Sequence, residues 1–133
     1  MYVFANSKFY KSIYPVNNAW AFYFEVPFPL QVEEIFTKVA LTEIEIKLEN
    51  DKKTIEEDLY IFTDIIKRNT LINEEFKPLL RIISSKEPSI CIPYYFKLSR
   101  ESFSRVFVYL TDQHGEIPKY KAICTRLTLH FTK

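Results

Sequence analysis

One glycine, Gly115, serves a chain of 133 residues. A phosphate-cradling loop needs several closely spaced glycines, so that kind of nucleotide site is excluded. Most turns must instead use Asn, Asp, Ser or Pro, or be longer than two residues. Cysteine is nearly as scarce. Cys91 and Cys124 are too few for a disulfide framework and are expected to be reduced thiols in a protein assembled inside a cell. His114 and His130 are the only histidines. A zinc or iron centre needs three or four converging ligands, so no metal and no cofactor are expected. The sequence holds no run of 18 apolar residues and no basic leader followed by an apolar segment, which predicts neither a membrane span nor a secretion signal. Internal repeats and low-complexity tracts are also missing.

Net charge is close to balance at +1, so bulk charge points to no polyanionic partner. The distribution is uneven. Residues 1–66 hold six Lys against eleven acids, and residues 67–133 hold twelve Lys and Arg against six acids. If the two halves interleave in space, the asymmetry cancels. If they do not, the molecule has unlike flanks able to meet head to tail in a ring.

What the chain does have is aromatic and β-branched residues. Twelve Phe and nine Tyr accompany many Ile, Val and Thr, all strand-favouring types. Eight strands are read from the pattern. They are Tyr2 to Ala5, "AWAFYFEV" ended by Pro27 and Pro29, "VALTEIEIKL", "LYIFTDII", "PLLRIIS", "IPYYFKLS", "RVFVYLTD" and "AICTRLTLHF". "NDKKTIEED" is a charged loop and "DQHG" a turn, while "KRNTLINEEFK" reads as irregular, with room for a helical turn. "LYIFTDII" is apolar on both faces, as in a central strand covered on both sides. No convincing long helix separates the strands, which argues against parallel βαβ units. Eight short strands with turns between them predict an all-β fold spanning residues 1–133. That fold is a single eight-stranded jelly roll of two packed four-stranded antiparallel sheets. The expected core contains Trp20, Phe22, Phe24, Val39, Leu41, Leu80, Val106, Val108, Leu127 and Leu129. Ile123 and Phe131 also face inward, and Arg126, Thr128 and His130 face outward.

Strand "VALTEIEIKL" changes face midway. Val39 and Leu41 are apolar at odd positions, and Ile44, Ile46 and Leu48 at even ones. A β-bulge at Thr42-Glu43 would insert one residue and swap the faces at a sandwich corner. Glu43 would then accept hydrogen bonds from unpaired backbone N–H groups, a structural role. Asp64 and Arg81 interrupt otherwise apolar strands, where an unpaired charge is costly. They are expected to be neighbours, paired with each other or tied to backbone groups near a strand end.

Nothing in the sequence assembles a catalytic constellation. The carboxylates of "NTLINEE" and "TIEED" read as solvated loops, so no enzyme and no small-molecule substrate are expected. "KRNT" and "RESFSR" bring basic residues near loop ends, but the aromatics fit the inward strand pattern rather than stacking platforms in a positive groove. Specific nucleic-acid binding is therefore not expected.

Six collinear stretches together resemble one family, the penton-type minor capsid proteins of Polinton/Maverick elements and adintovirus-like viruses. "FYKSIYPVNNAWAFYFEVPFPLQV" is similar to the family's "YP.N" turn, aromatic strand and proline-leucine segment. "FTKVALTEIEI" resembles its signature of tryptophan, any residue, then Val-Ala-Leu-x-Glu-Ile. "LYIFTDII" resembles its "Y.Y.DI" strand and "KPLLRII" its "PLLR" strand. "VYLTDQHGEIP" and "TRLTLHF" resemble its ending. Phe36 stands in for the tryptophan one residue further away, the glycine before the signature is missing, and the chain stops just after "LHF".

The resemblance implies a single jelly roll that forms homopentamers at icosahedral vertices beside a major capsid protein, in the virion, without enzyme activity or cofactor. The rival is a jelly-roll recognition module for a glycan or receptor, and a host-captured relative is a third reading. A ring needs a heterologous contact. Its aromatic anchors are expected among Phe9, Tyr10 and Tyr14. Asp51, Glu56, Glu57 and Asp58 are expected on one flank, and Arg100, Arg105 and Lys121 on the other.

Overall fold

Every sheet strand of the first half of the chain finds a partner in the second half. The computed structural model describes residues 1–26, 36–50, 52–84, 91–99 and 103–133. Its strands are β1 (Tyr2–Asn6), β2 (Ala21–Glu25), β3 (Lys38–Leu48), β4 (Leu59–Thr63), β5 (Thr70–Ile72), β6 (Glu75–Lys77), β7 (Leu79–Ile83), β8 (Phe96–Lys97), β9 (Arg105–Thr111) and β10 (Ala122–Thr132). One sheet has the order β1-β10-β3-β8 and the other β2-β9-β4-β7, with all pairings antiparallel. The pairs β1/β10, β2/β9, β3/β8 and β4/β7 are those of one long hairpin rolled up, its tip between β4 and β7. This is the jelly roll that the alternation predicts.

The ten core residues expected from the alternation are all buried, and Phe22, Val39, Val106, Val108, Leu129 and Phe131 are fully so. Each fully buried Phe, Leu or Val contributes about 1.5–3 kcal/mol of transfer free energy. The two sheets share one apolar cluster, in which Phe22 and Phe24 of one sheet join Leu41 and Leu127 of the other.

The face change in β3 is a bulge. Glu43 pairs with Thr128 and Leu41 with Leu129, leaving Thr42 as the inserted residue. Val39 and Leu41 before it and Ile44 after it all reach the core. The hydrogen bonds at the bulge belong to Thr42 rather than Glu43. Its hydroxyl donates to the Thr128 carbonyl at 3.2 Å, and its own carbonyl accepts from the Cys91 N–H at 2.8 Å. Glu43 is exposed. A second register shift at the start of β10 leaves Ile123 half-buried and turns Cys124 inward. Ile123 is therefore not the core residue that strict alternation gives.

"TLINEEFK" is a hairpin, not a helical turn. β5 and β6 pair across Asn73 and Glu74, whose φ angles of 50° and 69° are left-handed. Two successive positive φ angles define the turn that matches strand twist. "IPYYFKLS" forms a ladder only at Phe96–Lys97. Pro27 and Pro29 lie outside the described residues.

Three sheet edges are closed. Asn17, almost wholly buried, accepts from the Tyr23 N–H at 2.8 Å and donates to the Tyr23 carbonyl at 2.9 Å, so one side chain imitates a neighbouring strand beside β2. Asn69 does the same for Leu79 of β7, at 3.3 and 3.0 Å. β8 is two residues long and is flanked by the Ile66–Leu98 bridge and the bond from Lys67 N–H to the Lys97 carbonyl. Short or capped edges are how sheets avoid unwanted pairing.

The turn after β9 is built on Asp112. Its carboxylate accepts from the backbone N–H of His114 at 2.8 Å and Glu116 at 3.0 Å, while Gly115 takes φ +80°. The bond from Glu116 leads in holding the Asp112 pKa below its ordinary 3.8. A carboxylate with a depressed folded pKa stabilises the fold above its unfolded pKa, and that stability is lost as pH falls through the lower value. Asp112→Asn should therefore lower the melting temperature by a constant amount between about pH 5 and 7, and the gap should close below about pH 4. Thermal melts of both proteins across this range test it.

Candidate functional site

Two aromatic faces carry the exposed chemistry of the described residues. On the outer face of the β2-β9-β4-β7 sheet, rings stack in sequence. Tyr14 lies 5.1 Å from Tyr23, Tyr23 4.4 Å from Phe107, Phe107 5.6 Å from Tyr109, and Tyr109 4.8 Å from Phe62. Cations close the row, with Arg105 over Tyr23 at 5.1 Å and Lys77 over Phe62 at 5.8 Å. Phe62 is thereby buried, which makes β4 covered on both faces as its composition predicts. Burial also raises the Tyr109 pKa above that of an ordinary phenol.

Three residues expected at a subunit interface belong to this face. The Tyr14 hydroxyl donates to the Glu25 carboxylate at 2.8 Å, and this bond is the leading cause of its raised pKa. The Tyr10 hydroxyl donates to the Glu25 carbonyl at 3.4 Å, and Arg105 pairs in register with Glu25. Tyr10, Tyr14 and Arg105 are thus held by contacts within the subunit. Phe9 is different, being 68% exposed. Arg100 lies outside the described residues.

On the outer face of the β1-β10-β3-β8 sheet, Tyr2 stacks on His130 at 4.4 Å. Tyr95 meets the same imidazole edge-on at 5.8 Å, its hydroxyl 2.8 Å from Nδ1. Burial first, and the terminal ammonium group second, lower the His130 pKa. Next to this cluster Phe4, Phe9, Asn6, Glu43, Glu45 and Arg126 line an open groove of about 320 Å³. Glu45 and Arg126 form a cross-strand ion pair there. Both side chains are half-exposed, so the pair adds little stability.

Asp64 and Arg81 are tied to backbone rather than to each other in the contacts described. Asp64 accepts from the Phe107 N–H at 3.0 Å, and Arg81 donates to the Ile92 carbonyl and lies over the Tyr94 ring at 4.9 Å. Both side chains tie β-strands to neighbouring segments.

The charged flanks separate only in part. Glu49 N–H donates to the Lys121 carbonyl and Glu56 N–H to the Tyr120 hydroxyl, so Lys121 sits at the same end as Glu56, Glu57 and Asp58. Arg105 begins β9 at the opposite end, since Tyr60 of β4 pairs with Thr111. Asp51 lies outside the described residues. The interleaving of the two halves places opposite charges side by side at Glu25–Arg105 and Glu45–Arg126.

Sequence reading missed that several aromatics face solvent. Tyr2 and Phe4 are 60% and 74% exposed, and Tyr94 and Tyr95 are exposed as well. The signal was in β1 itself, where the small or β-branched Val3 and Ala5 alternate with aromatic Tyr2 and Phe4. Either set suits a core, and the smaller set took it. Cys91 and Cys124 are buried free thiols. Among the described residues no three His, Cys, Asp or Glu side chains are grouped to hold a metal ion, and no helix is long and apolar enough to cross a membrane. No family model, no curated protein and no solved structure matches the chain.

Proposed function

We propose that the chain is a penton-type minor capsid protein of a Polinton-like or adintovirus-like particle. Five copies would form a ring at an icosahedral vertex, beside a major capsid protein, with a structural and non-enzymatic role. The observation that carries this reading is the coincidence of the six family-like stretches with the elements that define the roll. The Asn of "YPVNN" is the side chain that closes the β2 edge. "VALTEIEI" is bulged β3, "LYIFTDII" is β4 with the Asp64 tie, and "PLLRII" is β7. "YLTDQHG" is the end of β9 with the Asp112 turn, and "LTLHF" is the part of β10 that carries His130.

Native mass measurement of the purified protein tests the reading. A ring should weigh about 80 kDa, five times the 15.9 kDa subunit. Phe9 is the exposed aromatic among the expected anchors, and such anchors dominate interface energy. Phe9→Ala should weaken the ring about tenfold or more while leaving the subunit melting temperature unchanged. A second reading, glycan recognition, is favoured by the groove between Phe4, Phe9, Glu45 and Arg126. A stable monomer that binds a glycan array, and loses that binding on Phe9→Ala, would replace the vertex role with that one.

A further inference from the structure

Among the described residues nothing covers the outer edge of β1, which sets it apart from the three closed edges. Met1 and Phe131 exchange two backbone bonds at 2.8 Å, and Ser7 N–H donates to the Thr125 carbonyl at 2.9 Å. With the register unbroken between them, Val3 and Ala5 also face β10. The backbone N–H and C=O groups of Tyr2 and Phe4, and the N–H of Asn6, therefore point away from the sheet. β1 has no charged residue, no proline and no bulge, the usual devices that blunt an edge. It also carries Phe4, 74% exposed, at its centre.

We propose that β1 pairs with β1 of a second copy of this chain, antiparallel about a twofold axis at Phe4. The strand is self-complementary in its full-length register. Phe4 faces Phe4 of the second copy, Tyr2 faces its Asn6, and Val3 faces its Ala5. The ladder then holds about four hydrogen bonds, two between the Phe4 residues and one from each Asn6 N–H to the Tyr2 carbonyl of the other copy, because the Asn6 carbonyl already accepts from the Phe9 N–H. On the outer face the two Phe4 rings meet as a cross-strand aromatic pair, and no like charges oppose each other. Among the described edges of the two four-stranded sheets, β1 is the one left to meet this edge, because Asn17 caps β2, Asn69 caps β7, and the 65–67 segment flanks β8. The two β1-containing sheets fuse into one sheet of eight strands. The contact is isologous, so it is separate from the head-to-tail contact of a five-membered ring. It is small, so the association is weak and concentration-dependent.

Sedimentation equilibrium between about 1 µM and 1 mM, combined with NMR on mixed labelled and unlabelled protein, tests the pairing. The expected result is a mass rising in twofold steps, to a dimer or to paired rings, with intermolecular contacts between Val3 Hα and Ala5 Hα. Phe4→Lys places like charges face to face and should weaken this step at least tenfold. Phe4→Pro removes an outward N–H without touching a bond to β10 and should do the same. Both variants should keep the wild-type NMR spectrum away from β1, which separates a lost contact from a lost fold. A monomer at 1 mM overturns the proposal, as does a five-subunit ring that never doubles. So does a doubling that both variants leave unchanged. If the Tyr2 and Phe4 amides of a monomer instead shift on adding an unrelated strand-forming peptide, the edge serves a foreign strand and self-pairing is wrong.

Discussion

Phe131→Ala is expected to destabilise the fold by about 3–5 kcal/mol, measured by urea unfolding. Phe131 is fully buried on β10, which lies between β1 and β3. Its ring meets Phe36 at 6.4 Å and Phe103 at 5.7 Å, so truncation opens a cavity bordered by aromatic rings that cannot readily close on it. Domain stabilities are only about 5–15 kcal/mol, so this one change removes a large share of the total. Phe4→Ala is the control. The same atoms are removed from a ring that is largely in water, and the change should stay within about 0.5 kcal/mol. Equal losses at the two positions would contradict the burial assigned to them.

Asn17→Ala is expected to cost about 2–3 kcal/mol and to make the protein prone to associate. The side chain satisfies both backbone groups of Tyr23, and a buried polar group left unpaired costs about 1–3 kcal/mol. The second consequence separates this residue from an ordinary buried amide. Without it, β2 becomes an open edge bearing an N–H and a C=O ready for another strand. Light scattering on the variant should rise under conditions where the wild type stays clear. Asn17→Asp keeps the acceptor and loses the donor, so it should fall between wild type and alanine in stability.

The features legible in the sequence were those written in the side-chain period. The face swap at Thr42 shows as a slip from odd to even positions, and burial of one face leaves a strand no other way to make it. The core of β2, β9 and β10 is likewise read from alternation. Less legible were features that depend on a single polar side chain or on distant neighbours. Asn73-Glu74 makes a tight hairpin without the usual glycine, and Glu74 is held at φ 69° by the pairing of β5 with β6. Asn17 and Asn69 look like any loop asparagine until the strand each one caps is known. Asp64 and Arg81 are recognisable as costly charges, but their backbone partners, Phe107 and Ile92, lie on segments whose placement the local pattern does not give. Of the surface candidates, Phe9 was picked out by its position before β2, whereas the exposure of Tyr2 and Phe4 turned on which alternate set of β1 filled the core.

The rolled-hairpin pairing has a consequence for biosynthesis. β1 is made long before its partner β10, and two backbone bonds join Met1 to Phe131, 130 residues apart in sequence. Contact order is therefore high, which predicts folding in the slow, millisecond-to-second range of all-β domains. It also means that neither sheet is complete until its late central strand has been made, β9 in one and β10 in the other. Until then β1 and β2 lack their partners, whereas β4 can already pair with β7, and the apolar faces left open are prone to aggregate.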